Sequence, residues 1–387
     1  CTGRETSTFF CAGRGQSTFQ PKITMASTKP SLLVTGVAGD LGTRLLPLLE
    51  GFHVIGLDTR PPSESSVEFE QIDLSQEAAC GRMAQILRET KAVGVVHLAF
   101  VLDPVRTGVL DQDRMWRINV AGTARVVEAI AEANRMGGKV AKLIYLSSVA
   151  AYGPNLKRPA RENDELKAHT LTYALHKKEA DLAVQARARE LGGCDVYILR
   201  PPIFAGASVQ NYMINCIRGT AYGPGRIGQA MSRKRRKLPM LLPFGRAHLE
   251  RKFQFVHVDD VARLIAWILA RPKASDSLTI LNVAGRGEPI TVAQCGAITG
   301  NRIKRVPTVR LCRKIVEMMW NMGVSSVPPD SFPYLIGSYV MDTSRLQNLL
   351  ASSYEDVIRL TNEMALQDEK ESRQTDLVDH KQVEVKT

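Results

Sequence analysis

Residues 172–180 read TYALHKKEA, and within them Tyr173 and Lys177 stand four residues apart. On a helix that spacing puts both side chains on one face. A phenol ordinarily titrates near pH ~10, too high for a base at neutrality. An ammonium beside it, and a positive coenzyme ring, favour the phenolate and bring that value down. Such a pair can move a proton at a carbinol or carbonyl oxygen. The same residues could also be two solvent-facing side chains of a polar helix, because a motif this short arises by chance. Alone, the pair leaves both readings open.

A second chemical signature lies near the start of the regular pattern. LLVTGVAGDLG (32–42) places Gly36, Gly39 and Gly42, with Asp40 and Leu41 between the last two, after a strand and at the opening of a helix. The first glycine permits a sharp turn, the second lets backbone approach a pyrophosphate, and the third allows close helix–strand packing. Free N–H groups at the helix start then face the phosphates. Asp58 ends the next apolar run, HVIGLD (53–58), where a carboxylate accepts hydrogen bonds from ribose hydroxyls and repels a 2′-phosphate. That favours NAD over NADP, although Arg60 nearby could accommodate the extra phosphate.

The elements needed to hold these groups follow from hydrophobic patterning. Short apolar strands at 31–36, 53–58, 94–100, 142–148 and 195–202 alternate with helical runs such as RVVEAIAEAN (125–134). Continuous apolar strands between helices imply a parallel sheet covered on both faces. The expected fold is α/β, a Rossmann-type doubly wound parallel sheet with a smaller C-terminal substrate lobe built from two separated segments. The boundaries are a non-native or disordered N-terminal extension at 1–29, the dinucleotide-binding domain at 30–202 and a first lobe segment at 203–252. A returning strand and helix at 253–280, a second lobe segment at 281–365 and a disordered tail at 366–387 complete the division. Met25 is a natural start, so the Ser/Thr/Gly-rich residues 1–24 read as a mis-assigned start or remnant, with a processed targeting segment as the alternative.

Composition narrows the class further. The balance of 44% hydrophobic and 23% charged residues is that of an ordinary globular protein, and no stretch is apolar for long enough to span a bilayer. Seven scattered cysteines with no C-x-x-C pair argue against a disulfide framework or a metal site and suit a reducing cytoplasm. The net charge of +12 concentrates in RKRRK (233–237) and in Arg302, Lys304, Arg305 and Arg310. No aromatic residues interleave with RKRRK, which makes nucleic acid a poor partner; a basic rim over a phosphate-bearing substrate and an inert surface loop both fit.

Taken together, TGVAGDLG, QIDLSQ (71–76), HLAF (97–100), NVAGT (119–123), LSSVAAYG (146–153), YALHK (173–177), LRPP (199–202), FVHVDDVA (255–262) and MDTSRL (341–346) resemble the extended short-chain dehydrogenases. Within them the chain is similar to the NAD-dependent epimerase/dehydratase family that includes UDP-glucose 4-epimerase. The resemblance implies that Asp73 and Leu74 flank the adenine, that Leu98 and Ala99 line the dinucleotide, and that Asn119 stands near the cofactor. It implies a triad of Ser148, Tyr173 and Lys177, with Ser148 positioning the substrate oxygen and Lys177 also bonding the nicotinamide ribose. Tyr152 and Asn211 become candidate substrate contacts, and a homodimer is implied. Departures matter as well. Val149 and Ala150 stand where dehydratases carry acids, Ile203 where an Asn often touches substrate, and Phe253 where an Arg often grips the nucleotide phosphate. Epimerisation of a nucleotide sugar, oxidation or reduction of a non-sugar alcohol or ketone, and a catalytically silent dinucleotide sensor remain open.

Overall fold

The computed structural model describes residues 29–64, 67–101, 112–272 and 277–368; the expected N-terminal extension and most of the expected tail lie outside the described residues. Seven parallel strands form the central sheet: β1 Ser31–Thr35, β2 His53–Asp58, β3 Glu68–Gln71, β4 Gly94–His97, β5 Lys142–Leu146, β6 Asp195–Arg200 and β11 Leu278–Asn282. Their order is β3-β2-β1-β4-β5-β6-β11. The order reverses direction beside β1, so the crevice at its C-terminal end is where a ligand fits this topology. Alternation along β1 sends Leu32 and Val34 to one core and Leu33 to the other, which is why the strand is apolar throughout.

The sheet differs from the sequence expectation at both edges. EFEQ (68–71) is an edge strand whose side chains are exposed or half-buried, so it carries no apolar signature. The returning strand expected at the start of 253–280 does not join the large sheet. Phe255–His257 (β10) pairs instead with Ile203–Ala205 (β7), and the chain re-enters the sheet only after the helix Val258–Ala270, through β11. Lys142 closes that helix, its Nζ donating to the carbonyls of Ile268 and Leu269 at 2.9 and 3.0 Å.

Strand pairs join the two separated C-terminal segments. Met240–Pro243 (β8) runs parallel to Ile303–Val306 (β13), and Lys252–Phe253 (β9) antiparallel to Ile290–Thr291 (β12). An amphipathic helix spans Val309–Asn321, with Thr308 capping its first turn through Leu311 N–H.

Candidate active site

At the end of β1, Gly36 has φ +73°, and a Cβ there would stand 2.6 Å from the Ala99 backbone nitrogen. Only glycine fits. A Cβ on Gly42 would lie 2.5 Å from the carbonyl oxygens of Gly36 and Val37, so the helix Asp40–Leu45 presses directly on the turn. Gly39 precedes that helix with no side-chain cap, leaving first-turn N–H groups for an anion. Pro47 turns the remainder of the expected helix into a short 3₁₀ turn. Asp40 is half-exposed and accepts from Ser208 Oγ at 3.1 Å, while Leu41 is buried. Asp58 closes the loop from the side, accepting from Ala38 N–H at 3.1 Å and Thr59 N–H at 2.7 Å.

Further along the sheet edge, Leu98 N–H donates to the Thr35 carbonyl, and Ala99 follows beside Gly36. Asp73 accepts from Ser75 N–H at 2.8 Å in a side-chain turn, and Leu74 is buried under Gly122. Asn119 sits in a π turn, Arg117–Ala121, that breaks the helical register before Gly122–Arg135. It is fully buried; its Oδ1 accepts from Val101 N–H at 2.7 Å, and its Nδ2 donates to the Val101 carbonyl at 3.1 Å. His97 is a satisfied core histidine, bridging Thr35 and Thr123 at 2.7 and 3.0 Å; burial drives its pKa down to about 3.

The three triad candidates converge. Ser148 ends the extended segment after β5 and caps the turn Val149–Tyr152 through Ala150 N–H at 3.2 Å. Tyr173 lies in the first turn of the helix Thr172–Arg187, half-buried, with the Ser148 side chain near enough to favour its ionised form. Lys177 is one turn further along, buried, and donates to the Leu146 carbonyl at 2.6 Å.

Phe100 belongs to the same cluster: its ring centre is 3.5 Å from the Lys177 ammonium, and the ring meets Tyr173 edge-on at 5.7 Å. Desolvation pushes the Lys177 pKa down to about 7, opposed by the Asp181 carboxylate. Desolvation likewise raises Tyr173 to about 12, with only the Ser148 side chain pulling the other way. The lowered phenol expected from the i, i+4 ammonium is therefore absent in the chain by itself. The Lys177 Nζ is turned toward Leu146 and Phe100, 6.0 Å from the centre of the tyrosine ring.

Two candidate substrate contacts, Tyr152 and Asn211, bond to the framework. Tyr152 is buried; Arg200 Nη1 donates to its hydroxyl at 2.7 Å, and that hydroxyl donates to Asn282 Oδ1 at 2.8 Å. These bonds brace the framework around it. Asn211 caps the helix Tyr212–Arg218 through Ile214 N–H at 2.9 Å and donates to the Phe204 carbonyl, so both ends of its amide serve its own loop. Beside the triad candidates lies a buried ion pair with little signature in the local sequence pattern. Arg200 and Asp181 are buried to 1% and 0% exposure and are joined by two hydrogen bonds of 2.8 and 2.9 Å. Asp181 also accepts from Ser147 Oγ at 2.5 Å. The position of Asp181, four residues beyond Lys177, is the one local signal that could have exposed it.

With this geometry in view, the sequence profile of the NAD dependent epimerase/dehydratase family matches residues 32–284. The chain belongs to that family. Solved structures share its fold. MoeE5 in complex with UDP-glucuronic acid and NAD superposes with a TM-score of 0.60 at 19% identity, over 89% of this chain and 99% of that one. The UDP-glucose 4-epimerase of Thermus thermophilus, in complex with NAD, gives 0.59 at 19% identity, covering 88% and 98%. The Thermotoga maritima UDP-glucose 4-epimerase with UDP-glucose gives 0.58 at 20%, covering 90% and 99%.

Proposed function

We propose that this family member is an NAD-dependent, sugar-nucleotide epimerase-like oxidoreductase acting at a secondary carbinol. The observation that carries the reading is that Tyr173 and Lys177 both meet Phe100, whose neighbour Ala99 packs on the glycine turn at Gly36, with Ser148 beside Tyr173. NAD fits the residues present: Gly36 makes the tight turn, Gly39 leaves the backbone open to a pyrophosphate, Asp58 suits the ribose hydroxyls, and the relatives above were solved with NAD or a UDP-sugar. When bound, NAD supplies the hydride-accepting and hydride-donating chemistry.

The chain's own groups manage the proton. Ser148 Oγ holds the substrate oxygen, and Tyr173 Oη takes the carbinol proton or returns it to a carbonyl. Lys177 supplies positive charge along the same helix face. With its pKa near 12 the phenol is protonated in the unliganded chain, ready to donate, and it becomes a base only when further positive charge enters the cleft. Lys177, with a pKa near 7, takes up or releases a proton around neutrality.

One observation favours a second reading, oxidation or reduction of an apolar alcohol or ketone. A cavity of about 50 Å³ in the smaller lobe is lined by Met213, Ile217, Met240, Leu242, Phe253 and Val316 among others, with no charged side chain. Phe253 is buried against it, and Ile203 is buried in β7. A chain of aromatic contacts runs from Phe253 through Tyr339 to Tyr334, whose hydroxyl reaches the Ala150 carbonyl beside the triad.

One experiment separates the readings. The purified protein is assayed for bound NAD after gel filtration, then incubated with UDP-glucose and related nucleotide sugars, and the products are identified by proton NMR. Retained NAD and an inverted sugar centre are expected. Protein that emerges without NAD, yet reduces added NAD with an apolar secondary alcohol, would establish the second reading in place of the first.

A further inference from the structure

The smaller lobe carries a surface that the proposed chemistry does not use. Segments 203–249 and 289–329 hold 14 of the chain's 51 lysines and arginines but only one of its 39 acidic residues, Glu317. The remainder of the chain is close to neutral. Glu317 is itself bridged to Arg313 at 2.9 Å. Arg226, all five residues of 233–237, Arg302, Lys304, Arg310 and Lys314 are exposed.

Amid these cations lie large apolar side chains. Ile227, Met318 and Met322 are each at least half exposed, and Leu311 and Phe244 are exposed as well. Leu311, Met318 and Met322 fall at spacings of seven and four, which makes one stripe along the helix Val309–Asn321. A different side of that helix buries Cys312 and Val316, so the stripe is the part of its apolar arc left outside. Ile227 joins it: Gly225 N–H donates to the Gly323 carbonyl at 2.8 Å, and a Cβ on Gly225 would stand 2.6 Å from the Met322 carbonyl oxygen. At the other end, Phe244 N–H bonds the Val306 carbonyl at 2.7 Å, which brings Phe244 to the start of the same helix.

We propose that this face docks on an anionic lipid surface. Aliphatic side chains ringed by lysine and arginine suit entry into the boundary between acyl chains and negative headgroups. Charge decides against a second copy of this chain, because a two-fold contact through the patch would set two cationic lobes against each other. Single-stranded nucleic acid would call for stacked aromatic rings among the cations, and the centre of this face is isoleucine, leucine and methionine. The sequence argument against a membrane rests on the lack of a spanning stretch, and an interfacial contact needs none.

The test uses the full chain and sedimentation with phosphatidylcholine vesicles, with or without one-third phosphatidylglycerol. Binding is expected only to the anionic vesicles, weakening steeply with added salt. Arg233→Glu/Arg235→Glu/Arg236→Glu should lower partitioning at least about tenfold. Ile227→Ser/Met318→Ser/Met322→Ser, which keeps every charge, should lower it by about tenfold too. Both variants should keep the parent's thermal melting and far-UV circular dichroism. Any of three outcomes overturns the proposal: no partitioning of the parent protein, equal partitioning of the serine variant, or a parent dimer that the serine variant turns into a monomer. Binding of an oligonucleotide more tightly than the vesicles, undiminished in the serine variant, would assign the face to nucleic acid instead.

Discussion

Substitution Asp181→Ala tests whether the buried ion pair beside the triad candidates holds the site together. Arg200 is 1% exposed and directs its guanidinium to both oxygens of Asp181, to the Tyr152 hydroxyl and to the Glu162 carbonyl at 2.7–2.9 Å. Burial works against its charge, but the Asp181 carboxylate outweighs that and holds its pKa up. Removing the carboxylate strands a buried cation and also frees Ser147 Oγ and Gln185 Nε2, which donate to Asp181 at 2.5 and 2.6 Å. Breaking one partner of a buried pair costs about 3–5 kcal/mol. At about 2–4 °C per kcal/mol in a domain of some two hundred residues, melting should fall by roughly 6–20 °C. Because Ser147 adjoins Ser148, turnover should fall more than the loss of folded protein explains. The assay is urea unfolding of Asp181→Ala, Arg200→Met and the double variant, with turnover measured at a temperature where all three are folded. The double variant should recover much of the loss, since no charge is then left unpaired. A single-variant cost below about 1 kcal/mol, or a double variant no better than the sum of the singles, would refute the coupling.

Further outcomes follow from the same geometry. Tyr173→Phe should cut turnover by about 10²–10⁴-fold while leaving NAD binding by equilibrium dialysis nearly intact, and substantial residual turnover would remove the phenol from its role. In the NAD-free protein Tyr173 should ionise only near pH 12; if oxidised NAD lowers that midpoint, phenolate absorbance gained on its addition at alkaline pH should be absent from Tyr173→Phe. Lys177 titrates near 7 when folded and near ~10.4 when unfolded, so the unfolded chain binds the extra proton between those values. Wild type should therefore gain about 2–5 kcal/mol relative to Lys177→Met as pH rises through that window, with no slope below it. Urea melts at pH 6, 8 and 9.5 check the slope, and the opposite sign would contradict the buried lysine. Gly36→Ala should lose NAD retention on gel filtration and melt several degrees lower, because a methyl group meets Ala99 backbone at 2.6 Å in a left-handed conformation.

What the sequence made legible was what the chain encodes locally. The glycine turn follows a strand and opens a helix within eleven residues, and Tyr173 and Lys177 share a face through helical spacing alone. The apolar strands β1, β2, β4, β5 and β6 declared themselves because both faces of the sheet are covered. Illegible features depend on partners distant in sequence. β3 carries polar side chains at an edge, and the two C-terminal strands Phe255–His257 and Leu278–Asn282 read alike until the pairing partners β7 and β6 distinguish them. Tyr152 and Asn211 are candidate ligand contacts through the family resemblance. Which way a tyrosine faces, however, is decided here by Arg200, 48 residues away, and by Asn282, 130 residues away. Proton affinity is subject to the same limit. Four residues of helix bring a lysine near a tyrosine, but Leu146 and Phe100, 31 and 77 positions upstream of Lys177, orient the ammonium and dry it. Candidates for proton transfer can therefore be found from spacing, whereas the pH at which such groups exchange protons is a property of the folded packing around them.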